Sequence, residues 1–342
     1  MEQDDLDLPE DFGDFSHLTN EDELDFLAKM MLKPNVGVIK DIAKESDKAE
    51  DTLAIIDDSL SSMEVFDKLT QINQLLDHGI VSELIKLGRS VVHIRMKGHS
   101  SLSSAHPSQL QATWDRLSAN GELRTYVGTG WVFGSKRKVL ITNNHVLPLE
   151  DTANTAVIHF DYLTDFRTGR KSTKKRMRLA PEKLFFTSPV LRHGGLDFTA
   201  VALEEEAEEE YGFLEYDDAS DAKSATRVYV PQHPRGRTKT YVFNNNFKVN
   251  QSDDYLTYTS DTEGGSSGSP LFDEKLRLIG LHHVGNYRDN PEQGGSRLLT
   301  NLGSRIEVVI QNLADQLMMA EWTEDQVIDW FGAGSVIKAF NQ

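Results

Sequence analysis

Between Leu53 and Leu76 apolar residues recur every three or four positions, at Ile56, Leu60, Met63, Phe66, Leu69 and Ile72, which predicts a helix with one apolar face. Asn20, with Glu23 three residues on, forms a capping-box pattern ahead of Leu24, Leu27 and Met31 and predicts a shorter helix before it. Residues 1–15 are dominated by Asp and Glu and are expected to form a disordered acidic arm, with 16–87 a small helical region. The apolar face either closes a small core or docks a partner.

After a short helical run at 83–87, Gly88 is a stop signal and the period changes from helical to alternating. Short apolar runs at 90–94, 126–133, 139–142, 198–203, 228–230, 256–260, 270–272 and 278–283 are separated by turn-rich segments. That spacing predicts a mainly β domain, a barrel or sandwich, over 88–316. Residues 306–317 read as a closing amphipathic helix, and Thr323 with Gln326 caps a further helix carrying Val327, Trp330 and Phe331 in a helical tail over 317–342.

Composition narrows the class. The 342 residues carry a net charge of -18 and no cysteine, so disulfide bracing is absent and a reducing, cytoplasmic setting is expected. The start lacks a basic region followed by an apolar run, and no stretch approaches the roughly 18 apolar residues of a membrane span. Acidic excess disfavours direct binding to nucleic acid, whose phosphates are held by Lys and Arg. The basic stretch 167–178 is read as a solvated hairpin loop or as a contact for acidic residues 1–25. Residues 204–210, six glutamates around Ala207, are read as a solvated loop.

The segment 264–270, Gly-Gly-Ser-Ser-Gly-Ser-Pro, lies between two predicted strands, and its glycines let the backbone fold around one exposed hydroxyl. A serine needs a base to become nucleophilic at neutral pH, and the base needs an orienting carboxylate. His145 ends the apolar run of 140–146 and Asp197 opens that of 197–203, which supplies both.

The order His145, Asp197, Ser267, with Gly128-Thr129-Gly130 upstream and Gln232-His233-Pro234 between, resembles the trypsin-like serine proteases, and most closely their bacterial glutamyl endopeptidase branch. The resemblance covers roughly residues 88–316 and implies a two-barrel chymotrypsin-like domain, preceded by the helical region and followed by the helical tail. It implies His145 as general base, Asp197 as its orienting group, Ser267 as nucleophile, and the amides of Gly265 and Ser267 as oxyanion hole. Asn144 and Ser266 depart from the branch's usual residues without removing a catalytic group.

For the substrate pocket the resemblance points to Thr262 and His282, where glutamyl endopeptidases hold an acidic side chain, with Gly285 on the same strand. Asp261 falls near the position where trypsin binds Arg or Lys, so a basic preference stays open, as does a solvated turn role. His282 and His283 are strand neighbours expected to face opposite ways, which argues against a metal pair. No cofactor or metal is expected. The expected activity is endopeptidase cleavage of a protein or peptide substrate, controlled by a sensor or adaptor protein through 16–87 in a stress or defence setting. The alternative is a catalytically silent scaffold.

Overall fold

The structure, a computed structural model, describes residues 78–217, 227–242, 246, 248–290 and 295–342. The acidic arm and the helices expected between 20 and 76 lie outside the described residues. Helix α1 (His78–Leu87) leads into a first set of strands: β1 (Val91–Gly98), β2 (Arg124–Phe133), β3 (Val139–Thr142), β4 (Val157–Phe160), β5 (Leu163–Thr164), β6 (Lys171–Ser172), β7 (Lys175–Arg178), β8 (Phe185–Ser188) and β9 (Phe198–Ala202). Seven of them pair antiparallel in the order β7-β4-β1-β2-β3-β9-β8, and a bridge between Leu179 and Leu203 joins the ends of β7 and β9, closing the sheet on itself. Closure removes free edges, so buried backbone groups find partners.

Strand alternation builds two cores from single segments. On β3, Leu140 enters the first barrel with Val92, Ile94, Ile158, Met177 and Val201. Its neighbours Val139 and Ile141 point the other way, to a second cluster with Trp131, Phe198, Leu281 and Leu313. The period of two in a strand sends successive side chains to opposite faces.

The second set comprises β10 (Val230–Gln232), β11 (Thr240–Val242), β12 (Lys248–Gln251), β13 (Tyr255–Tyr258), β14 (Pro270–Phe272), β15 (Leu278–Asn290) and β16 (Gly295–Arg305). Five pair as β12-β13-β16-β15-β14; Tyr229 bridges Phe272, and Val228 N–H donates to Asn246 O at 2.9 Å, which brings the ring round. Val228, Val230, Leu256, Tyr258, Leu271 and Ile279 fill it. The architecture is the mainly β, two-barrel one expected.

Helices α2 (Ser100–Ser104), α3 (Leu110–Ala119) and α4 (Glu150–Asn154) decorate the first barrel. Leu110, Trp114 and Leu117 at helical spacing bury one side of α3, a signal present in the sequence and missed there. Helix α5 (Ile306–Met319) runs through the expected boundary at 316, and α6 (Glu324–Phe331) and α7 (Ser335–Phe340) follow. The Thr323–Gln326 capping box forms as expected. The tail is packed rather than appended: Phe331 is buried against Phe133, its carbonyl accepts Ser135 N–H at 3.1 Å, and Lys138 Nζ donates to Asp329 O at 2.9 Å.

One loop expectation is corrected. The stretch 167–178 is not a solvated loop throughout, because its end is β7, a barrel strand paired with β4. The glutamate run is the solvated loop expected: its six glutamates are exposed, Glu205 and Glu208 pairing at the surface with Lys175 at 2.9 Å and Glu210 with Lys174 at 2.6 Å, while Ala207 between them is buried. Among the described residues no helix is long and apolar enough to cross a membrane.

Candidate active site

His145 stands in the turn after β3, where the amides of Val146 and Leu147 both bond back to Asn143 O. Asn143 in turn donates its side-chain N–H to Asp197 O at 2.8 Å. Asp197 precedes β9 in the left-handed region, φ 52°, which Asp tolerates better than most residues. Its loop is held from the second barrel, by Tyr255 Oη to Gly195 O at 2.7 Å and Ser304 Oγ to Leu196 O at 2.6 Å. The two barrels thus jointly set the carboxylate.

That carboxylate is fully buried and accepts three N–H groups. His145 backbone N–H reaches Oδ1 at 2.9 Å and His145 Nδ1 reaches Oδ2 at 2.8 Å. His283 Nδ1 makes a short bond to the same Oδ2. Burial alone would push the Asp197 carboxyl up, but the imidazoles of His145 and His283 hold it well below the usual carboxylate range.

Ser267 occupies the turn between β13 and β14. Its carbonyl accepts Thr129 N–H at 2.9 Å, and Gly268 N–H donates to His282 O at 3.1 Å. Gly268, at φ 89°, admits no larger residue, since a Cβ would lie 2.0 Å from Thr129 O. Ser267 Oγ rests on the carbonyl of His283 at 3.5 Å, a long and weak contact. His283 therefore touches both the serine and the carboxylate.

The oxyanion geometry is set behind the serine. Gly264 O accepts Arg235 N–H at 2.5 Å. In a trans peptide the C=O and N–H point opposite ways, so the Gly265 N–H is turned away from Arg235. Thr129 Oγ1 accepts His233 N–H at 3.1 Å and donates to Gly265 O at 2.8 Å, locking the next peptide as well. The Gln232-His233-Pro234 motif is thus the support of the serine loop, with Gln232 Nε2 bound to Asp261 O at 2.8 Å.

In the expected pocket, Thr262 is buried with its hydroxyl on Asn301 Oδ1 at 2.6 Å. His282 is buried with Nδ1 2.6 Å from Tyr258 Oη. Burial, then the neighbouring His283 and His145, pushes His282 down to about 3, so it is neutral. Asp261 is exposed, and Gly285 on β15 is half-buried. His145, Asp197 and His283 place potential ligand atoms within 4.8 Å of one another and are the group among the described residues that could hold a metal ion. Asp197 Oδ2 already accepts from both imidazoles, so a metal would have to displace both protons.

Residues 128–281, which span His145, Asp197 and Ser267, match the family model of the trypsin-like peptidase domain. This part of the chain is a trypsin-like peptidase domain. The chain is 36% identical over 173 residues to the uncharacterized protein y4fB of Sinorhizobium fredii, a match covering 46% of this chain and 25% of that protein. It is 29% identical over 181 residues to the secreted RxLR effector protein 73 of Plasmopara viticola, covering 50% of this chain and 44% of that one. The chain therefore spans less than half the length of these relatives. A solved structure of Glu endopeptidase in complex with MPD aligns at 14% identity and a TM-score of 0.41, covering 64% of this chain and 84% of that chain.

The sequence reading assigned no role to His283. Its register explains why: His282 pairs with Gly303 and Val284 with Leu302, leaving His283 as the extra residue of a β-bulge. Bulges re-aim side chains and cluster beside active sites.

Proposed function

We propose that the peptidase is a serine endopeptidase in which Ser267 attacks the substrate carbonyl, His145 accepts its proton and returns it to the leaving amine, and Asp197 holds the imidazole. The observation that carries this reading is the two-point grip of Asp197 on His145, through backbone N–H and Nδ1. It fixes the tautomer with Nδ1 protonated and Nε2 ready to accept. Ser267 Oγ must leave the His283 carbonyl for His145 Nε2 before reaction, a tightening common on substrate binding. As the tetrahedral oxyanion forms, the N–H groups of Gly265 and Ser267 receive it; water then repeats the steps in reverse on the acyl-enzyme.

For specificity we favour an acidic residue before the scissile bond. Burial keeps the Tyr258 hydroxyl protonated, and His282 Nδ1 is its hydrogen-bond partner. In the reading we adopt the hydroxyl donates to Nδ1, which leaves the His282 proton on Nε2, where it suits a substrate carboxylate. Exposure of Asp261 supports a turn role over an Arg- or Lys-binding one. Absence of cysteine supports a reducing, cytoplasmic setting, although the name of the Plasmopara viticola relative marks that protein as secreted. We assign control to a partner that engages residues 16–87.

A fluorophosphonate probe should label the wild type at Ser267 and spare Ser267→Ala. Mapping of new amino termini in cells, wild type against Ser267→Ala, should show Asp or Glu before the cut. Absence of labelling with every partner supplied, or cuts after Arg or Lys, would overturn the respective parts. A chain lacking residues 1–77 tests control, since α1 buries Leu84 in the core and must stay.

A further inference from the structure

Strands β1, β4 and β7 pair so that their outward residues lie side by side. His93 is opposite His159, which is opposite Arg176; Arg95 is opposite Val157, which is opposite Arg178. The alternate residues Ile94, Ile158 and Met177 fill the barrel. On the outside, Arg95, Lys97, Arg176, His159 and Thr125 contribute to the wall of a cavity of about 290 Å³ that no acidic residue lines.

This lack of counter-charge is out of character for the chain, which carries 54 acidic against 36 basic residues. Nearby cations on the same barrel are matched: Lys174 with Glu210, Lys175 with Glu205 and Glu208, Arg89 with Asp161. Among the described residues no carboxylate lies within ion-pair distance of the Arg95, Lys97 or Arg176 side chains. The buried ring of His159 registers the resulting field, being pushed down to about 4 first by burial and then by Arg176 and Arg95. Three like charges on residues lining one concavity, with no acidic residue in that lining, favour the entry of an anion.

We propose that this cavity is an exosite that binds a phosphorylated Ser or Thr side chain of a polypeptide partner. A phosphate monoester brings about two charges and three acceptor oxygens on one centre, whereas a carboxylate brings one charge and two oxygens. Two planar guanidinium forks and an ammonium match the former in so small a volume, and the Thr125 hydroxyl, opposite Lys97 on β2, adds a neutral donor. At about 290 Å³ the cavity holds a phosphoryl group and the residue bearing it, at the lower limit for ligand sites. The polypeptide nature of the partner rests on the peptidase reading; the phosphate chemistry does not.

Binding is measured on full-length Ser267→Ala, so that it is read separately from catalysis. A fluorescein-labelled peptide with neutral flanks and one phosphothreonine should bind at least tenfold tighter than its unphosphorylated parent, and inorganic phosphate should compete. Arg95→Gln and Arg176→Gln should each weaken it at least tenfold, with unchanged circular dichroism. Arg178→Gln, on the same face but outside the cavity lining, should leave it within twofold. Equal binding of the two peptides, or indifference to both lining variants, would overturn the proposal. So would tighter binding of a 12-residue oligonucleotide or of the unphosphorylated acidic peptide 1–14.

Discussion

The backbone N–H of Arg235 donates to the carbonyl of Gly264 at 2.5 Å and thereby turns the Gly265 N–H away from Arg235. Arg235 does this from the left-handed region, φ 51°, a conformation that costs of order 1 kcal/mol or more for a non-glycine residue. The Gly264–Gly265 peptide is therefore held in one orientation, and its support lies in a turn about thirty residues upstream.

Gly265 sits at φ 91°, and a Cβ there would lie 3.0 Å from His233 O and 3.1 Å from the amides of Arg235 and Gly236. Gly265→Ala should push the loop off this support. The expected result is a kcat loss of about 10²- to 10³-fold, the scale of one oxyanion donor, with KM little changed. Steady-state kinetics on a peptide substrate, with active sites titrated, measures the split.

His283 acts as a positioning residue for Asp197. His283→Ala should lower kcat roughly tenfold at constant KM, because one of three donors to the carboxylate is gone while substrate contacts remain. His283→Asn, which keeps an N–H donor near the Nδ1 position, should recover most of it. A structural defect alone would raise KM and lower the unfolding midpoint in both variants.

The tail belongs to the stability of the barrels. Phe331→Ala should cost about 3–5 kcal/mol, the range for truncating a buried phenylalanine, and a chain ending at 316 should fail to fold. Urea unfolding of Ser267→Ala with and without the change reads this free of self-cleavage.

Stability should fall on mild acidification. Burial, then the fields of His159 and Arg95, pushes His93 down to about 3, and His282 is likewise held at about 3. Below pH ~6.5 the unfolded chain takes up protons that these folded imidazoles refuse, so each contributes a loss of roughly 2–3 kcal/mol by pH 4.5. Asp197 works at the opposite end: its depressed carboxyl keeps stabilising the fold through this window and loses its contribution only as pH falls below the ordinary carboxylate range. Urea midpoints from pH 7 to 4.5 should decline, and His93→Gln should flatten the decline.

How much of this was legible in the chain varies with how local the cause is. The strands Val139–Thr142 and Pro270–Phe272 coincide with short apolar runs, and the Thr323–Gln326 cap is written in four residues. Helix Leu110–Ala119 was equally legible and overlooked. The solvated character of the glutamate run 204–210 was legible in its acidic density, whereas its pairing with Lys174 and Lys175 was not, because those lysines come from a different hairpin.

By itself the sequence determined the mainly β architecture, the likeness to trypsin-like peptidase domains and the candidates His145, Asp197 and Ser267, because periodicity and motif order are properties of neighbouring residues. Only the tertiary structure decided that His283 shares Asp197 with His145, that Arg235 supports Gly264, and that Arg95, Lys97 and Arg176 meet around one cavity. Each depends on strand register, on a bulge or on the closure of a barrel, and these are settled by pairing between segments tens of residues apart.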